Sequence, residues 1–144
     1  MRMQGTFLDV RNAVMQTLQA VFPDIPVTGE EPEQPEIPPH LYVTLPGGTH
    51  TQEMGRRFRR GISVAVRYKP SGSSPNADMY AIAEQLALEL YQISLSGRPV
   101  AGRDIRFELA EGTLLFYVTY QFVAALQMPE DPVMQKLDHV EGIK

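Results

Sequence analysis

The chain has 144 residues, is 43% hydrophobic and 21% charged, and carries a formal net charge of −4. That balance suits one domain with a single core, and excludes both a disordered polyelectrolyte and a protein drawn to nucleic acid by bulk charge. The chain contains no cysteine, so a thiol nucleophile, a thiolate metal site and a disulfide framework are excluded. The absence fits a cytosolic birthplace. The polar stretch Met1–Gly5 lacks the apolar core of a secretory peptide, and no apolar run approaches the ~20 residues of a membrane span.

Thr6-Phe7-Leu8-Asp9 reads as a capping box that opens a first helix. Phe7, Val10, Val14, Leu18 and Val21 fall on one face at helical spacing, and Pro23 stops the helix. Residues 23–39 form a proline-punctuated loop whose acids Glu30, Glu31, Glu33 and Glu36 are uninterrupted by any base. Pro26 and Val27 border a short edge strand, because proline cannot donate to a central ladder. Leu41–Leu45 is a predicted strand that Pro46-Gly47-Gly48 ends or bends.

Residues 61–68 give the clearest strand. Ile62, Val64, Val66 and Tyr68 alternate with Ser63, Ala65 and Arg67. Ser74-Pro75 reads as an N-cap followed by proline at the first helical position. The second helix is expected to reach about Ser94, with Met79, Ile82, Ala83, Leu86, Leu90 and Ile93 as its core stripe. Tyr80, Ala87 and Tyr91 form a second row, read first as core packing at the helix flank and second as an interface. Residues 98–102 are a turn with a small strand-like element. A hairpin follows, with Ile105, Phe107 and Leu109 in one strand, Glu111-Gly112 in the turn, and Leu114, Phe116, Val118, Tyr120 and Phe122 in the other.

The expected architecture is α/β of the α+β type: a single domain over 1–127, with an antiparallel or mixed sheet of about four to five strands and two helices packed on one face. Residues 128–144 are expected as an extended tail or arm. The second sheet face, with Ala65, Leu115, Tyr117 and Val123, carries more apolar surface than a free face needs, which hints at self-association.

The sequence offers no recognisable catalytic constellation. His40, His50 and His139 are not at metal-ligand spacing, no serine sits in a nucleophile elbow, and no phosphate-binding glycine loop is present. A hydrolase would need a site assembled from distant residues. The sharp feature is basic: Arg56, Arg57, Arg59 and Arg60 flank Phe58. Strand alternation sends Arg57 and Arg59 to one side, and Arg56, Phe58 and Arg60 to the other. Three readings stand: a solvated strand end whose charges guard an edge, a protein interface whose mate is the acidic loop with Glu30, Glu31 and Glu33, and a nucleic-acid contact. No cofactor is expected.

The order of these segments resembles the phage tail terminator family of phages and prophages. The residues carrying the resemblance are Val21-Phe22-Pro23, Leu41-Tyr42-Val43, Gly55-Arg56-Arg57-Phe58-Arg59-Arg60, Arg67-Tyr68, Gly97-Arg98-Pro99-Val100, Gly102-Arg103-Asp104 and the alternating strand from Leu114 to Phe122. The resemblance implies a small non-catalytic α/β protein, made in the host cytoplasm. It would assemble as a homo-oligomeric ring, typically a hexamer, on the end of the tail tube. There it stops tube polymerisation and offers a surface to head-completion proteins. Tail tube protein and head-completion or connector protein would then be its partners, with no membrane. The alternative is another head–tail connector or morphogenesis protein that touches DNA through the arginine block. The resemblance assigns no residue roles. On the residues alone, Arg56, Arg57, Arg59, Arg60, Glu30, Glu31, Glu33, Tyr80 and Tyr91 are the candidate subunit or partner interface.

Overall fold

The capping box forms as the sequence predicts. In the computed structural model, which describes residues 2–3, 5–30 and 37–127, the Thr6 hydroxyl accepts from the Asp9 amide at 3.0 Å and the Asp9 carboxylate accepts from the Thr6 amide at 3.0 Å. Two of the amides that a helix start leaves unpaired are thereby satisfied. This opens α1 (Phe7–Val21), preceded by β1 (Arg2–Met3). Then follow β2 (Val27–Thr28), β3 (His40–Met54), β4 (Arg57–Lys69), α2 (Pro75–Leu90), β5 (Gln92–Leu95), β6 (Arg98–Ala110) and β7 (Thr113–Gln127).

The sheet runs β2-β3-β4-β7-β6-β5, and β1 pairs with the far end of β7. The β2–β3 pair is parallel and the others antiparallel, so the sheet is mixed. Its strands outnumber the four to five expected. The short edge strand expected at Val27 is β2; the excess lies in β1, two residues long, and in β5. Elements this short carry too few alternations to register as a period.

Period-two alternation places Leu41 and Val43 of β3, Val64, Val66 and Tyr68 of β4, and Leu114, Phe116, Val118 and Tyr120 of β7 on one face. Val10, Val14 and Leu18 of α1 pack on this face, as do Met79, Ile82, Ala83, Leu86 and Leu90 of α2, in one buried cluster. Burying each such aliphatic or aromatic side chain contributes roughly 1.5–3 kcal/mol relative to leaving it exposed. On the opposite face two arginines lie over tyrosine rings. The Arg67 guanidinium lies 4.6 Å from the Tyr42 ring centroid, and that of Arg106 lies 4.1 Å from Tyr117. Ala65, Leu115 and Tyr117 are half-buried there, and Val123 is more open.

Helix α2 stops four residues short of its expected end. Its last carbonyls are taken by the sheet: the Tyr120 hydroxyl donates to Leu90 O at 2.6 Å, and the Gly102 amide donates to Tyr91 O at 2.6 Å. A Cβ at Gly102 would lie 2.7 Å from Val118 Cγ2 and 2.9 Å from Leu90 O, so only glycine permits this approach. The chain then turns into β5, whose Ile93 and Leu95 are buried while Gln92 and Ser94 are exposed. Ile93 stands three residues after Leu90, so it continues the helical stripe in sequence while belonging to a strand in space. Residues 98–102, read as a turn with a short strand-like element, begin the long β6. At the other end of α2, Ser74 occupies the N-cap position and Pro75 the first turn, but the Ser74 side chain makes no capping bond.

The Glu111-Gly112 turn is as expected, with both residues at positive φ, 52° and 73°. The β3 strand is bent, not ended, at Pro46-Gly47-Gly48: a register shift between Thr44 and Gly47 lets it continue to Met54. Residues 128–144, expected as a tail, lie outside the described residues.

Burial pushes the Tyr120 phenol well above its ordinary pKa. Burial and the hydrogen bond to Asp78 do the same for Tyr68. Both phenols therefore favour the folded state while neutral. That stability is fully present below about pH 10, where unfolded tyrosine ionises, and is lost as pH rises beyond it. Urea unfolding at pH 7 and near pH 11 is expected to show a steep alkaline loss. Tyr120→Phe should cost about 1 kcal/mol at pH 7, from the unpaired Leu90 carbonyl, and make the alkaline loss shallower.

Candidate functional site

The arginine block sits at the end of a long β-hairpin. Beyond Leu45 every residue of β3 is exposed, and Arg57 and Arg59 open β4 in equally open surroundings. The turn is made by Gly55, at φ 58°, and Arg56. Gln52 Nε2 donates to Gly55 O at 2.7 Å and helps close it. The far end of β7 supports this arm on its other side, with Arg57 opposite Ala125 and the Leu126 amide donating to Arg56 O.

The four arginines have different surroundings. Arg56 and Arg57 are exposed, and their side chains make no ion pair or hydrogen bond with the described residues. Arg59 forms an ion pair with Glu53 at 2.7 Å. Arg60 points to the helix side and is buried. Its guanidinium carbon lies 3.7 Å from the Phe7 ring centroid, and its Nη1 donates to Gly5 O at 3.1 Å. Burial lowers its pKa from the ordinary arginine value. The expected alternation holds from Arg57 to Arg60; Arg56 belongs to the turn. Arg60 thus fastens the start of α1 to β4 and does not share the surface that Arg56 and Arg57 offer. Beside it, His50 stacks on Phe58 with ring centroids 4.5 Å apart.

Of the acidic residues, Glu30 is paired within the chain, with Arg11 at 2.8 Å. Glu31 and Glu33 lie outside the described residues. Tyr80 is 55% and Tyr91 59% exposed, which corrects the reading of this row as core packing: only Ala87 packs against the core. The tyrosines are far from the arginine hairpin in the chain, Tyr80 in the second turn of α2 and Tyr91 at its C-cap. His40 is buried, with Nε2 3.1 Å from the Thr28 hydroxyl. Among the described residues no three His, Asp or Glu side chains gather as a metal site, and no helix is long and apolar enough to cross a membrane.

The arm itself was not visible in the sequence. Residues 47–53 are polar and glycine-rich, with no apolar alternation to mark a strand. The one available signal was the pair of threonines, Thr49 and Thr51, at period two. The arrangement suits recognition by surface contact.

The difference between the arginines is measurable. Arg60→Ala is expected to lower stability by roughly 1–3 kcal/mol through loss of the ring contact and the Gly5 bond, and Arg60→Lys to restore little of it. Arg56→Ala and Arg57→Ala should stay within about 0.5 kcal/mol of the parent in urea unfolding.

The family model described as phage tail terminator protein matches residues 9–132, from the first turn of α1 to beyond the end of β7. A comparison with curated proteins finds no match. With nearly the whole described fold inside that span, the chain belongs to the phage tail terminator family and is a structural component of the phage tail.

Proposed function

We propose that the protein caps the tail tube as a closed homo-oligomeric ring, hexameric by the family resemblance, stops tube polymerisation and forms the joining surface for head-completion proteins. Family membership over residues 9–132 carries this reading. The molecule's form supports it: a two-layer body bears an exposed polar arm, and the arm ends in two arginines, Arg56 and Arg57, without partners among the described residues. A ring needs heterologous contacts, in which one patch meets a different patch on the next copy. Guanidinium groups at an arm tip suit bidentate pairing with carboxylates of a neighbouring subunit or of the tube protein.

A second reading, a connector that contacts DNA, draws on the same two arginines. It requires salt-sensitive binding that Arg56→Ala/Arg57→Ala abolishes. Unchanged mobility of a duplex probe at low salt excludes it.

The deciding measurement for termination is electron microscopy of tails assembled without the protein. Overlong tubes of dispersed length are expected. Tails of normal, uniform length would refute the reading.

A further inference from the structure

The sheet has two long edges that its own short strands leave uncovered. On one side, β2 pairs with β3 only at Leu41 and Tyr42. On the other, β5 pairs with β6 only from Arg98 to Ala101. Among the described residues nothing pairs with the rest of either edge.

Hydrogen-bond alternation identifies the backbone groups that face outward. The Leu41 amide donates to Pro26 O, away from β4. Its partner Tyr68 therefore turns its backbone toward β7, as do the even-numbered residues of β4 down to Phe58. The Leu126-to-Arg56 bond has the same parity. On β3, the residues opposite Ile62, Arg60 and Phe58 are Gly48, His50 and Gln52, and these turn their N–H and C=O groups to the open edge. On β7 the odd-numbered residues bond to β6 through Arg106, Glu108 and Ala110, so Phe107 and Leu109 face outward. Gly102, on the same side, donates to Tyr91 instead.

The two edges match. Strands β3 and β7 run one way, β4 and β6 the other, so a rotated copy presents its β6 antiparallel to β3. With His50 opposite Phe107, Gly48 faces Leu109. In this register β5 of the copy lies beyond the arm tip and β2 beyond the Glu111-Gly112 turn, so neither short strand obstructs. Side chains fit as well. Phe107 is 49% exposed and shares its face with buried Phe116, the helix side of the sheet. On that same side, at the β3 edge, lies a largely apolar depression of about 410 Å³ lined by Phe7, Leu45, Gly48, His50 and Ile62. On the other face the pairs would be Thr49–Glu108 and Thr51–Arg106, with no like charges opposed. Gly47-Gly48-Thr49-His50-Thr51-Gln52 carries no proline and no Lys, Arg, Asp or Glu, so this edge lacks the usual guards against strand addition.

We propose that the open edge of β3 in one copy pairs with the open edge of β6 in the next, with Phe107 seated in the depression beside Gly48, so that the sheet continues from subunit to subunit. This rests on the ring reading and supplies its heterologous contact. The cysteine-free chain makes a direct test possible. Thr49 and Glu108 would form a non-hydrogen-bonded pair with Cα atoms about 4.5 Å apart, within disulfide reach. Tails assembled with Thr49→Cys/Glu108→Cys and oxidised should yield dimers and higher multiples on a non-reducing gel, and each single variant only monomer. Tails of normal length whose double variant runs only as monomer would overturn the edge pairing while leaving termination intact. Phe107→Asp, checked as folded by circular dichroism, should enter tails at least tenfold less than the parent. Incorporation at the parent level would equally overturn the proposal. Tail length without the protein reports on the ring reading by itself.

Discussion

The end of α2 is the constraint on which the arrangement of the second half depends. A helix leaves its last carbonyls without partners, and burying them unpaired is costly. Here the sheet supplies both donors, the Tyr120 hydroxyl for Leu90 and the Gly102 amide for Tyr91. These two bonds tie the middle of β7 and the start of β6 to one turn of helix. They set the height of α2 over the sheet, the point at which the chain reverses into β5, and the need for glycine at 102. With α2 held there, Leu90 and Leu86 pack into the same cluster that Val10, Val14 and Leu18 enter from α1. Arg60 performs the equivalent task at the other helix, holding the Gly5–Phe7 entry against β4.

Much of this fold was legible in the chain because its signals are periodic and long. The capping box, the stripes of both helices, the alternation in β4 and β7 and the Glu111-Gly112 turn all follow from local rules that tertiary structure did not overrule. The misreadings have particular causes. Ile93 satisfies a helical spacing and a strand spacing at once, and only the carbonyl contacts of Leu90 and Tyr91 decide between them. The β3 side of the arm is polar from Gly47 to Glu53, so no alternation of apolar residues betrays it. Its strand character comes from pairing with β4, whose own pattern is clear.

The candidate interface was legible in part. The arginine block was conspicuous, and alternation separated its members correctly from Arg57 to Arg60. Alternation alone could not tell that one side of the strand leads into the core beside Phe7 while the other stays open. Tyr80 and Tyr91 sit at the flank of the α2 stripe, where sequence spacing leaves core and surface equally available, and both are exposed. The apolar second face is lined in part by arginines whose reach residue types alone do not convey. The guanidinium groups of Arg67 and Arg106 lie over Tyr42 and Tyr117 on that face.

The central pairing of β4 with β7 also has a consequence for synthesis. The two strands are separated by the 43 residues between Lys69 and Thr113, among them α2 and the β5–β6 turn. On a ribosome adding 5–20 residues each second, β4 therefore waits on the order of seconds for the strand that will lie beside it. During that interval the β4 flank of the β3–β4 hairpin is open, and α2 lacks the β6 and β7 strands that hold its end. The nascent chain is then most vulnerable to joining another of its kind, and the delay is built into the order in which the strands are encoded.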